Sequence, residues 1–181
     1  MRRYECGCRV DTELQEYREY LIEKFHNAEF PKFAEEAVRT APILALLQDP
    51  GNSDAERTKV CSIGNEDTTS TNQREVIEKV GINRNKIVFW NFFASFDIGK
   101  NFGIESQEEW AKETEKLIGC MPKLEVVLVC GEKAWKGMRF VKLDKNIALI
   151  AAPHPSGRGL SQPRAKVRLE NAWEQARDII K

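Results

Sequence analysis

Three polar residues stand just beyond largely apolar runs in this chain: Asp49 after Pro42–Leu47, Asn91 after Lys86–Trp90, and His154 after Ile147–Ala151. Each is a different chemical tool. A carboxylate orients water and offsets positive charge that builds on a reacting carbon. A carboxamide shows a donor and an acceptor side by side, the pattern needed to read a ring edge. An imidazole donates to a departing atom near neutral pH. The flanking residues form two compact motifs, Gln48-Asp49-Pro50-Gly51 and Pro153-His154-Pro155-Ser156-Gly157-Arg158.

Taken singly, each residue has a plainer role open to it. Asp49 before Pro-Gly is also a turn former. Asn91 is also a strand-end residue that bonds its own backbone, and His154 is also loop decoration. The second histidine, His26, falls at the end of a helical pattern, where a cation suits the dipole.

These residues matter together only if the elements before them bring them to one rim. Four short runs read as buried strands: Pro42–Leu47, Lys86–Trp90, Glu125–Cys130 and Ile147–Ala151. They are rich in Val, Ile and Leu and apolar almost throughout, as strands covered on both faces are. Helical patterns alternate with them. Thr12–Asn27 sets Leu14, Tyr17, Leu21 and Phe25 on one stripe, with Asp11 or Thr12 as cap. Ser70-x-x-Gln73 reads as a capping box opening a helix that stops near Gly81, and Ser106-x-x-Glu109 opens another, with Trp110, Thr114 and Leu117/Ile118 inward. A last helix is expected from about Pro163, burying Val167, Leu169, Trp173, Ala176 and Ile180. The alternation predicts an α/β three-layer sandwich with a central, largely parallel four-stranded sheet, where ligands collect beyond the carboxyl ends of the strands.

Bulk properties set the frame. The 181 residues, without repeat or linker, are expected to form a single domain over 1–181. Lys+Arg and Asp+Glu both number 28, so the formal charge is zero. That balance argues against coating nucleic acid non-specifically, which needs clustered cations; a local basic face remains open, and Arg158, Arg164, Lys166 and Arg168 follow the His154 loop. No apolar run reaches membrane-spanning length, and the opening MRRYECGCRV lacks the apolar core of a secretory signal. A cytoplasmic location, or wherever the genome resides, is expected. Five cysteines without disulfide-like spacing read as reduced thiols. Cys6-Gly7-Cys8 lacks the C-x-x-C spacing of zinc and iron–sulfur sites, so no metal and no cofactor are expected.

The three motifs, in this order and approximate spacing, resemble those of the uracil-DNA glycosylase superfamily, over about residues 41–175. The resemblance implies that Asp49 and His154 are catalytic: the carboxylate activates water and offsets charge on the sugar, and the histidine stabilises the departing base. It implies that Gln48 and Asn91 bind the base, the first mainly through backbone, the second through its side-chain amide. Ser156 would grip phosphate, Arg158 and Leu160 would fill the gap left by a flipped base, and Arg164 would face the backbone at a helix start. The implied activity is a DNA repair glycosylase that hydrolyses the N-glycosidic bond of uracil or a related damaged pyrimidine. DNA with a damaged base is the expected partner, and a monomer the expected state.

The chain also departs from that pattern. Gly51 stands where the classical branch has a tyrosine that excludes thymine. Val60-Cys61-Ser62 stands where that branch has a stacking phenylalanine, a role Phe92 or Phe93 is expected to fill. The loop Asn65–Asn72 is open to two uses, as a pocket wall or as a hydroxyl-bearing phosphate contact. HPSGR is closer to the single-strand-selective branch. These departures keep open a non-catalytic or altered-specificity DNA-binding module on the same fold, and hydrolysis of a free nucleoside.

Overall fold

The computed structural model describes residues 11–26, 28–50, 57–96 and 103–181. Cys6, Cys8 and Gly51 lie outside the described residues. Four parallel strands form the central sheet: β2 (Ile43–Leu47), β4 (Ile87–Asn91), β5 (Val126–Cys130) and β6 (Ala148–Ala152), in the order β4-β2-β5-β6. They match the four apolar runs, each beginning one residue later than expected. β4 and β5 are buried at every position, as residues covered on both faces must be. β6, at the edge, is only half covered.

Helices occupy both faces, and two adjacent side chains show it. Successive residues of a strand point to opposite faces. Phe89 meets Trp173 of α6 (Ala165–Ile179), with ring centroids 6.3 Å apart. Its neighbour Trp90 meets Tyr17 of α1 (Thr12–Lys24) at 6.1 Å. α2 (Thr68–Val80) lies with α6, while α3 (Ile104–Gly119) and α4 (Glu132–Met138) lie with α1. The arrangement is a three-layer α/β sandwich.

Several boundaries differ from the sequence pattern for local reasons. α1 ends at Lys24, three residues short of Asn27. α2 is not opened by a Ser70 capping box: Asp67 is the cap, its carboxylate accepting from Ser70 N at 2.9 Å. Gln73 is buried instead, accepting from Trp173 Nε1 at 3.0 Å. α3 starts at Ile104 after Gly103, without a side-chain cap. α6 starts at Ala165, and Val167, expected inside, is 56% exposed.

A second, two-stranded parallel sheet joins β1 (Lys32–Phe33) to β3 (Val60–Cys61), with Phe33 opposite Cys61. Phe33 stacks on Trp90 with centroids 4.0 Å apart, which anchors this small sheet beside β4. Among the described residues, no helix is long and apolar enough to cross a membrane.

Candidate active site

β2 carries the chain to Asp49, and parallel pairing sets Leu47 opposite Asn91. The ladder runs on past the strand: Phe92 N donates to Leu47 O at 2.8 Å and Phe93 N to Gln48 O at 2.9 Å. Asp49 is thus held beside the end of β4. Gln48 Nε2 donates to Asp49 Oδ1 at 2.6 Å, so the neighbouring amide aims the carboxylate.

His154 arrives from β6, two residues past Ala152. Gly131 N, at the end of β5, donates to Ala152 O at 2.9 Å. Gly131 has φ +101°, and a Cβ there would sit 3.2 Å from His154 Cδ2. A Cβ on Gly159 would fall 2.1 Å from the His154 carbonyl oxygen, inside contact distance. The imidazole loop is therefore packed between two backbones that have no room for side chains. Asn72 of α2 adds a brace, its Nδ2 donating to Pro155 O at 2.7 Å.

Ser156 N donates to His154 Nδ1 at 3.2 Å. With Nδ1 accepting, the proton of the neutral ring sits on Nε2. Burial holds the imidazole below its ordinary pKa, partly offset by the nearby Asp49 carboxylate. The neutral ring is the form expected at pH 7.

Asp49, Asn91 and His154 line one cavity of about 90 Å³. One water needs about 10–15 Å³ of such space, so the cavity takes several waters or one small heterocycle. No family model matches the chain, and no curated protein matches it.

The other sequence candidates fall in different places. Gln48 and Phe92 are not part of the cavity wall. Gln48 acts through Asp49, and its backbone oxygen is taken by Phe93. Phe92 is 1% exposed and packs over Gly137, where a Cβ would come within 2.3 Å of its ring. It faces away because it lies one residue past Asn91, whereas Phe89, two residues before Asn91, shares its face. Phe89 is the ring that lines the cavity. Ser156 caps α5 (Gly157–Leu160), its Oγ accepting from Gly159 N at 3.1 Å. Arg158 and Arg164 are exposed, as are Lys166 and Arg168. Leu160 is half-buried against the core, and Arg164 holds the N-cap position of α6 at φ 60°.

Much of the remaining wall comes from Val60–Ile63, where no stacking ring stands, and from the Asn65–Asn72 loop, whose use the sequence leaves open. Cys61, Ser62 and Ile63 form one side, and Asn65, Asp67 and Ser70 another. Asn65 pins the loop: its Nδ2 donates to Val60 O at 3.0 Å, and its Oδ1 accepts from Thr58 Oγ1 at 3.0 Å. Ser70 Oγ ties α2 to the same loop by donating to Ser62 O at 3.2 Å. Among the described residues, no three metal-ligating side chains cluster.

Proposed function

We propose that the protein is a DNA glycosylase, hydrolysing the N-glycosidic bond of uracil or a related damaged pyrimidine flipped into this cavity. The observation that carries this reading is that Asp49, Asn91 and His154, delivered by three different strands, line a single small cavity.

The chemistry needs those three groups. As the glycosidic bond breaks, the sugar gains oxocarbenium character and the base takes the bonding electrons. Asp49 offsets the sugar's charge and orients water, whose oxygen bonds to the anomeric carbon and whose proton passes to the carboxylate or solvent. Gln48 keeps that carboxylate from turning away. Asn91 reads the base edge. His154, neutral and protonated on Nε2, donates to a base oxygen as negative charge develops there, the kind of preorganised donor that lowers such barriers. Extruding the base costs about a few kcal/mol, and the exposed Arg158 and Arg164 supply cations for the phosphates.

A second reading, a protein that grips DNA without cutting it, is favoured by one feature: the Val60–Ile63 wall carries no aromatic ring. A single-turnover assay on oligonucleotides with uracil opposite G, opposite A and in single strands separates the two. Alkali-revealed abasic product supports the glycosylase. Salt-sensitive binding without product marks the reader.

A further inference from the structure

We propose that Gln73 is a specificity-determining residue, presenting a fixed N–H donor at the floor of the cavity to the exocyclic oxygen on C4 of a pyrimidine. The proposal rests on the cavity receiving a base, as in the function proposed above. Gln73 borders the cavity, yet it is only 1% exposed. Its amide lies between two residues shut off from solvent, Trp173 of α6 and Cys130 at the end of β5.

This amide cannot turn over. An indole N–H only donates, and Trp173 Nε1 donates to Gln73 Oε1 at 3.0 Å. The carbonyl end is therefore fixed on Trp173, and the NH2 end falls to Cys130 Sγ, 3.5 Å from Nε2. A thiol can meet either end of a carboxamide, so the indole is what decides. Trp173 is held in turn by Phe89, with ring centroids 6.3 Å apart. Nε2 carries two hydrogens. One goes to the sulfur, and no other side chain among the described residues accepts the second. A buried N–H needs an acceptor, and the cavity is the open space that Gln73 borders.

The geometry of a bound base says which atom meets this donor. N1 of a pyrimidine carries the sugar, which stays toward the mouth with the half-buried Asp49. C4 lies across the ring from N1, so the group on C4 reaches furthest in, toward Gln73. In uracil that group is a carbonyl oxygen, which accepts the fixed N–H. In cytosine it is an amine, which sets donor against donor. A carbonyl oxygen has two acceptor positions, so this contact leaves room for a second donor from the wall. A hydrogen bond of ordinary net worth corresponds to about a twofold to tenfold preference for the keto base.

The test is an NMR titration of the whole protein with free uracil and free cytosine, for wild type, Gln73→Met and Gln73→Glu, with melting curves beside it. Gln73→Glu keeps the shape and an oxygen for Trp173 but puts an acceptor where the NH2 stood. Wild type is expected to bind uracil more tightly, with one Gln73 Nε2 proton shifting on uracil and not on cytosine. Gln73→Met is expected to narrow the preference by about twofold to tenfold, and Gln73→Glu by at least as much. No preference in wild type, a Gln73 amide that uracil does not move, or a preference unchanged in either folded variant overturns the proposal. So does an equal loss of affinity for both bases, which is what a purely structural brace between α2 and α6 would give. The amide shift is read in wild type alone, so the proposal is tested whether or not the variants fold. Free-base binding needs no bond cleavage, so absence of abasic product with the preference intact would count against the glycosylase reading alone.

Discussion

The backbone N–H of Ser156 donates to His154 Nδ1, two residues back along the same loop, at 3.2 Å. This hydrogen bond makes Nδ1 an acceptor and leaves Nε2–H as the ring's donor. Protonating Nδ1 would set two donors against each other, so the loop and the neutral imidazole depend on one another.

A pH dependence follows. Burial holds His154 below its ordinary value, which is about 6.5 in an unfolded chain. As pH falls, the unfolded chain binds this proton first. The His154 contribution to stability is therefore intact above about pH 6.5 and is lost progressively as pH falls through the window below it. Single-turnover excision is expected to stay level through pH 6.5 and to decline only further down. An inflection assigned to His154 at or above 6.5, by NMR or by rate, would contradict this.

Gly159→Ala is expected to disturb the same loop, because its Cβ would meet the His154 carbonyl oxygen at 2.1 Å. Backbone must shift to relieve such a clash, at a cost of about 1–3 kcal/mol. Both thermal stability and excision should fall. A variant with wild-type melting and wild-type rate would show that the loop has slack that this packing denies.

Phe89 and Phe92 should separate cleanly. Phe92 sits in the core over Gly137, so Phe92→Leu is expected to cost about 1–3 kcal/mol of stability with little change in excision rate at a temperature where it is folded. Phe89 lines the cavity, so Phe89→Leu should lower the single-turnover rate or raise KM as well. Denaturant melts run beside kinetics check both. A Phe92 variant that is stable but inactive would reverse the assignment.

Arg158→Ala is expected to weaken DNA binding similarly across sequences, since an exposed cation on the short helix α5 is placed to meet phosphates rather than bases. Removing one cation from the phosphate backbone should reduce the slope of log K against log salt by about 1. Fluorescence anisotropy at several salt concentrations measures it, and an unchanged slope would remove Arg158 from the interface.

Much of the frame was legible in the sequence because buried parallel strands are apolar runs, and all four stand within a residue of where the pattern puts them. Asp49, Asn91 and His154 were legible as cavity-lining positions for the same reason: each lies within three residues beyond such a run. Phe89 was recoverable from the period of two, since it shares a strand face with Asn91 while Phe92 does not. The Val60–Cys61 wall was not legible. Two-residue strands have no periodicity, and this pair is placed by Phe33 stacking on Trp90, two rings 57 positions apart in sequence. Ser70 and Gln73 misled because their spacing imitates a capping box, while Asp67 offers the better acceptor three residues before Ser70.

The most direct test is the single-turnover release of free uracil from a uracil-containing single strand by wild type and by Asp49→Asn. Asparagine keeps the shape of the side chain but removes its charge. Release by wild type, slowed by about 10²–10⁴-fold in Asp49→Asn with DNA affinity retained, is the predicted result. Equal rates in the two proteins would contradict a carboxylate-driven glycosylase at this site.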